Sequence, residues 1–338
     1  MPTTPPSSIT APPRDAEGLA AARQSAVLVD LAPLAVIEAR GPDAATFLHN
    51  QLSSDVKGLA AGSCQYTSFN SPKGRMLANF VLWRSDADRF RALVPMDLAA
   101  PLVQRLAKFV LRSKVTIEDI SATVVRLGFG GAAAATAVRA AFGVVPAVFG
   151  VASVRESTLL GLPGPRYVVL GEGSAALDLQ SALARHAHAG TFPVWQWLTI
   201  DAGIPVITAA TQELFVPQMA NWDVLGGVNF QKGCYPGQEI VARTRYLGRL
   251  KERSYAFHTD DGDVVPGARL FSTVFGDQAC GTVVNAAPAP EGGVDLLAVV
   301  QIAAANSNDL RIHRPDGPRV LQRALPYAMP DPAESVRR

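Results

Sequence analysis

Cysteine is scarce in this chain: 338 residues carry three, Cys64, Cys234 and Cys280. They are far apart and odd in number, which argues against a disulfide framework and for a reducing cytoplasm. Three dispersed thiols also cannot supply the four ligands of an iron–sulfur cluster from one chain. Histidine is equally sparse, at positions 49, 186, 188, 258 and 313. None has an H-x-x-x-H partner or a cysteine at ligand spacing, so no resident metal is expected. Neither sign of charge is in excess, since 31 basic residues face 29 acidic ones. No global field therefore draws the chain to nucleic acid or to an anionic membrane. No apolar run reaches the ~18 residues of a membrane span. The first residues lack the basic segment and apolar core of a secretory signal.

Apolar residues make up 48 % and charged residues 18 %, ordinary for a globular protein of two or three domains. The start is rich in Pro, Ser and Thr without periodicity, and residues 1–24 are expected as a disordered arm. From 25 to 248, strand patterns such as Leu34–Ala39 and Arg89–Val94 mix with helical spacing over Met96–Phe109. There is no strict βαβ rhythm, so the fold class is α+β. After Arg253 short strands alternate with Gly/Pro/Asp turns, the texture of a small β-barrel or sandwich over 249–330, followed by a tail, 331–338. The domain boundary is placed near Leu247–Lys251.

Gly128-Phe129-Gly130-Gly131-Ala132-Ala133 fits the G-x-G-x-x-G/A turn of dinucleotide sites, after a strand and before an Ala-rich helix. No acidic residue ends a second strand at the expected distance. The competing reading is a connection whose small residues allow close packing.

The stretch that organises the chain is Lys232-Gly233-Cys234-Tyr235-Pro236-Gly237-Gln238-Glu239. Glycines let a backbone approach a ligand or adopt positive φ. A helix or strand starting at Gln238 leads to Arg243, Arg245 and Arg249. A helix N-terminus and an adjacent lysine would favour a thiolate at Cys234; an inert, buried cysteine is the alternative.

This K-G-C-Y/F-x-G-Q-E segment resembles the signature of the YgfZ-type folate-binding proteins, relatives of the glycine-cleavage T-protein. Asp201-Ala202-Gly203-Ile204-Pro205, Leu214-Phe215-Val216-Pro217-Gln218 and Leu225-Gly226-Gly227 match its company, and weaker similarity runs from about Leu34 to Tyr327. The resemblance implies a T-protein-like fold: two interleaved α+β domains, then a C-terminal β-barrel, around a tetrahydrofolate cavity. It implies Cys234 as the functional thiol. It assigns Leu34, Gln51, Trp195, Asp201, Lys232, Gly233, Tyr235, Gly237, Gln238, Glu239 and Arg243 to the folate. Trp195 would offer its face to a pterin, or it and Trp197 are simply core. Asp201 stands where the family commonly has Glu, and a carboxylate can accept the paired N–H groups of a pterin. The arginines suit the carboxylates of a glutamate tail, or form a solvated face.

The T-protein's aspartate pair has no counterpart after the turn Lys73-Gly74-Arg75, which leads into Ala78-Asn79. Aminomethyl transfer is therefore disfavoured. The resemblance instead implies an accessory role in assembly or repair of iron–sulfur proteins, including those that modify tRNA. Folate and iron–sulfur client or assembly proteins are the expected partners, with no direct nucleic-acid binding, and a monomer is expected.

Overall fold

The computed structural model describes residues 13–172, 175–246 and 250–330. The start of the expected arm, Arg249 and the expected tail lie outside these residues.

Residues 16–24 are not an arm. Ala16–Gln24 is a helix whose cap, Asp15, accepts a hydrogen bond from the Gly18 amide at 2.8 Å. The second Asp15 oxygen accepts from the Thr191 amide at 2.8 Å, tying the helix down. Leu19 and Ala22, one turn apart, are buried. Alanine supplies most of this helix's apolar face, which is why no periodic signal stands out.

The α+β expectation holds, and the interleaving follows from the order of strands. Val27–Asp30 enters a six-stranded sheet, between His188–Gly190 and Val124–Gly130. The chain then leaves to build a whole second sheet of five strands. Its order is Cys64–Asn70, Met76–Asp86, Arg89–Pro95, Leu34–Arg40, Thr116–Asp119. Only afterwards does it return to complete the first sheet with Arg166–Glu172, Ser157–Leu162 and Val151–Val154. One core cluster runs through both units.

The C-terminal strands form a third sheet, ordered Arg311–Ile312, Arg269–Phe271, Ala279–Pro288, Val294–Gln301, Glu252–Thr259, Leu321–Arg323. The hairpin between its two edge strands curls it towards closure. The Ile312 amide donates to the Pro318 carbonyl (2.9 Å) and the Val320 amide to the Leu310 carbonyl (3.0 Å). Its apolar side chains make their own core.

Helix Phe192–Asp201 carries Pro193 in its first turn, where the missing N–H costs nothing. Trp195 and Trp197 are two residues apart, about 200° on a helix, and so serve different neighbours. Trp195 rests on the first sheet at Gly128, where a Cβ would lie 2.7 Å from its ring. Leu198 sits on Gly130 in the same way, at 2.3 Å. Gly128 and Gly130 thus leave room for this helix. The amides of Gly131, Ala132 and Ala133 already donate to the carbonyls of Pro165, Ala22 and Ser25. Those are the groups a dinucleotide turn would offer to phosphate, so close packing accounts for the motif.

Candidate functional site

Where the three units meet there is a cavity of about 570 Å³ with mostly apolar walls. The second sheet contributes Tyr66, Asn79 and Phe80, the first contributes Leu162 and Arg166, and the helix contributes Trp195. Segment Ile204–Thr208 closes one side. Two asparagines hold it. Asn79 donates to the Pro205 carbonyl (2.8 Å) and accepts from the Ile207 amide (2.7 Å). From the barrel, Asn285 accepts from the Val206 amide (2.7 Å) and donates to its carbonyl (2.8 Å). Asn79, at the position matched to a T-protein carboxylate, is therefore engaged at both ends as a backbone clamp.

Of the residues assigned from sequence, Leu34 and Trp195 line this cavity. Asp201 does not. It lies on the helix face shared with Trp197, one turn away, and that face meets the barrel. Its carboxylate accepts from Arg323 at 3.0 Å, while the Trp197 indole donates to Asp295 at 2.9 Å. Gln51 ends helix Ala44–Gln51, and its side-chain oxygen is buried without a partner, away from the cavity.

Lys232, Gly233, Tyr235, Gly237, Gln238, Glu239 and Arg243 also stand off the cavity wall. They form a second locus. The Lys232 ammonium donates to the carbonyls of His49 and Leu52, capping helix Ala44–Gln51. It also lies 4.9 Å from the centre of the buried Tyr235 ring. Burial pushes its pKa down to about 8, with Asp55 opposing. The cation expected to activate Cys234 is thus committed to backbone carbonyls. Gly237 has φ +78, and a Cβ there would lie 2.4 Å from the Ser71 carbonyl. Helix Gln238–Tyr246 starts just beyond, with Glu239 in its first turn and Arg243 and Arg245 in its last. The Arg245 guanidinium lies 4.1 Å from the centre of the Phe230 ring, so part of the basic stretch packs on an aromatic side chain.

Cys234 is exposed, whereas Cys64 and Cys280 are buried. Burial raises those two thiols, to about 12 and about 11. His49 borders the Cys234 loop: its Nε2 is 3.9 Å from where a Gly233 Cβ would be. Its Nδ1 lies 3.1 Å from Asp55. Burial and the Lys232 charge lower its pKa, with Asp55 opposing.

The two loci share one hairpin. Strands Cys64–Asn70 and Met76–Asp86 line the cavity with Tyr66 and Asn79, and their turn, Ser71–Gly74, seats Gly237.

Sequence reasoning missed Tyr66, Trp222 and Arg166 on the cavity wall. For Arg166 a signal existed. In Arg166–Leu170 it shares the period-two face of Val168 and Leu170, both fully buried, and a charge at a core parity marks a buried polar site.

Among the described residues no cluster of His, Cys, Asp and Glu could hold a metal ion, and no helix is long and apolar enough to cross a membrane. Residues 11–167 match the GCVT N-terminal domain family. The structure superposes on the glycine cleavage system aminomethyltransferase T from Bartonella henselae with a TM-score of 0.72 at 17 % identity, covering 85 % of this chain and 81 % of that one. That likeness establishes the T-protein fold expected from the sequence. The chain is 30 % identical over 307 residues to the tRNA-modifying protein YgfZ of Serratia proteamaculans, covering 89 % of this chain and 92 % of that protein. It is 30 % identical over 325 residues to that of Klebsiella pneumoniae, covering 95 % and 98 %. Similarity at that level along almost the whole length of both relatives means that this chain belongs to the YgfZ family.

Proposed function

We propose that this protein is a tetrahydrofolate-binding accessory factor for the assembly or repair of iron–sulfur proteins, tRNA-modifying enzymes among them. It acts in the cytoplasm, with Cys234 as its functional thiol. The observation that carries the folate reading is the cavity. Its size falls within the range of small-molecule sites. The Trp195 indole gives a flat wall, and the Tyr66 hydroxyl and Trp222 indole N–H are buried there without partners. Buried polar groups are rarely left unpaired, and a heteroaromatic ring with its own polar edge suits such a wall. Leu34, Trp195, Tyr66 and Arg166 would hold it. Bound tetrahydrofolate would supply a one-carbon carrier.

The iron–sulfur role rests on the family signature, and the tRNA-modifying relatives support the tRNA connection. Aminomethyl transfer remains disfavoured because Asn79 brings an amide, not a carboxylate, and both its ends are in use.

Calorimetric titration with a panel of reduced folates tests the reading. A tetrahydrofolate derivative should bind and quench tryptophan emission. Trp195→Ala should weaken binding by about 1 kcal/mol, as for a lost aromatic stack. Absence of heat and of quenching with every reduced folate would overturn it.

A further inference from the structure

Arg166 is the one cation on the cavity wall among the described residues. It is 2 % exposed, and no carboxylate lies within ion-pair distance of it among the described residues. The nearest influence of that kind is Asp201, which is held by Arg323. The guanidinium has five N–H groups. Nε and Nη2 donate to the Pro163 carbonyl (3.0 and 2.9 Å), and Nη1 donates to the Thr199 hydroxyl (2.8 Å). One N–H on each terminal nitrogen is left over. The buried Tyr66 hydroxyl lies beside the guanidinium, and its O–H reaches no acceptor. The buried indole N–H of Trp222, whose ring lies 5.0 Å from that of Tyr66, is also unpaired. This corner of the cavity therefore gathers free N–H and O–H donors around one charge, with no carboxylate in ion-pair contact with it among the described residues. A buried cation without a counter-charge is unfavourable until a partner arrives.

We infer that Arg166 and Tyr66 form a donor pole that selects the cavity's ligand by an acceptor, the C4 oxo group of a reduced pterin, and rejects the 4-amino counterpart. The inference rests on the folate reading above and adds the orientation of the ring. An oxo oxygen accepts from both Arg166 and Tyr66. A 4-amino group puts two N–H donors at the same place, so donor meets donor and the charge stays unpaired. Sites built to pair a buried polar group discriminate strongly against a ligand that cannot pair it.

The test is calorimetry on the full chain with tetrahydrofolate and with its isosteric 4-amino-4-deoxy analogue. The oxo compound should bind at least about tenfold more tightly, the lower end for hydrogen bonds to a charged group. Arg166→Gln should collapse that ratio, because an amide can turn its carbonyl towards the amino group. The lost bonds to Pro163 and Thr199 put folding of that variant at risk, so Tyr66→Phe provides the second arm. It removes only a hydroxyl and leaves the Arg166 bonds to Pro163 and Thr199 in place. Its melting temperature should not fall, while its preference for the oxo compound should drop several-fold. Equal affinity of the wild type for both compounds overturns the inference and leaves the folate reading standing, as does a Tyr66→Phe variant that weakens both alike. If neither compound binds, the folate reading falls and this inference with it.

Discussion

At the scale of single residues, three side chains are constrained in ways that can be measured. Lys232 is lysine at a cost. Its pKa of about 8 lies below the ordinary 10.5 because it is buried. Below pH 8 both folded and unfolded chains hold the proton and the whole penalty is present. Between 8 and 10.5 only the unfolded chain keeps it, so stability rises with pH. Above about pH 10 the buried Tyr66, Tyr235 and Tyr327, whose pKa values are raised, act in the opposite sense. The buried Cys64 and Cys280 thiols, raised to about 12 and about 11, also act in the opposite sense, from about pH 8.5. The Lys232 contribution is therefore the difference between wild type and Lys232→Met. In urea denaturation from pH 7.5 to 9.5 that difference should move by about 1 kcal/mol in favour of the wild type, after allowing for screening by water. A difference between the two proteins that does not change with pH would refute the assignment. Cys234 should be alkylated at neutral pH while Cys64 and Cys280 stay protected until the chain unfolds, because they are buried and their thiols are pushed up; mass spectrometry of the labelled peptides decides. Asn79→Asp restores a carboxylate where the T-protein has one, yet an ionised carboxylate cannot donate to the Pro205 carbonyl. We expect a loss of about 2–3 kcal/mol. The introduced carboxyl should have a raised pKa, so the loss should shrink as the pH falls and its proton can serve as the donor. A loss independent of pH would point to packing instead.

At the scale of elements, what could be read from the sequence depended on whether one element answered to one neighbour. The helix at Met96 was legible because it presents one buried stripe. Strands such as Leu34–Arg40 and Arg89–Pro95 were legible because their apolar residues run between turn signals, although both of their faces are largely buried. Helix Phe192–Asp201 was not. It is apolar towards the first sheet, the cavity and the barrel at once, so it shows no amphipathic period. The same cause misdirected Asp201: its place in the sequence pattern says cavity, while its angle on the helix says barrel. The signature loop was legible as a structured unit. Its separation from the cavity was not, because that depends on Lys232 reaching back to a helix end 180 residues earlier. The Gly128-x-Gly130 motif admits both a nucleotide and a packing reading in sequence, and the contacts of Trp195 and Leu198 decide for packing. Gly128→Ala puts a methyl group 2.7 Å from the Trp195 ring. It should cost about 1–3 kcal/mol, as overpacking does. It should also shift tryptophan emission as the ring moves. An unchanged melting temperature and spectrum would show that the helix does not depend on this glycine.

At the scale of the molecule, the cavity exists only because all three units meet, so what fastens them together also shapes the site. The first two units share a core and an interleaved chain. That core also reaches the barrel through Val284, Ala287, Leu297 and Val299, and a polar hub adds to it there. Asp295, 3 % exposed, accepts from Trp197 of the central helix (2.9 Å), from His258 (2.8 Å) and from Arg323, which also holds Asp201. Removing one member of a buried charged network strands the others, and that penalty exceeds the net worth of the network. Asp295→Ala should therefore lower stability by about 2–4 kcal/mol, below the fully buried range because Arg323 is partly exposed and keeps Asp201. Asp295→Asn keeps an acceptor for the Trp197 indole but loses the charge that faces Arg323 and His258. If hydrogen bonding to the helix dominates, the Asn variant should recover most of the loss; if charge dominates, it should resemble Ala. A ligand that binds only the closed cavity adds its own stabilisation, about 2.7 kcal/mol at a hundredfold excess over its dissociation constant. Calorimetric melting of both variants with and without tetrahydrofolate separates the two contributions. An Asp295→Ala protein that melts with the wild type would mean that the apolar contacts between barrel and helix suffice, and that the hub merely satisfies groups already buried there.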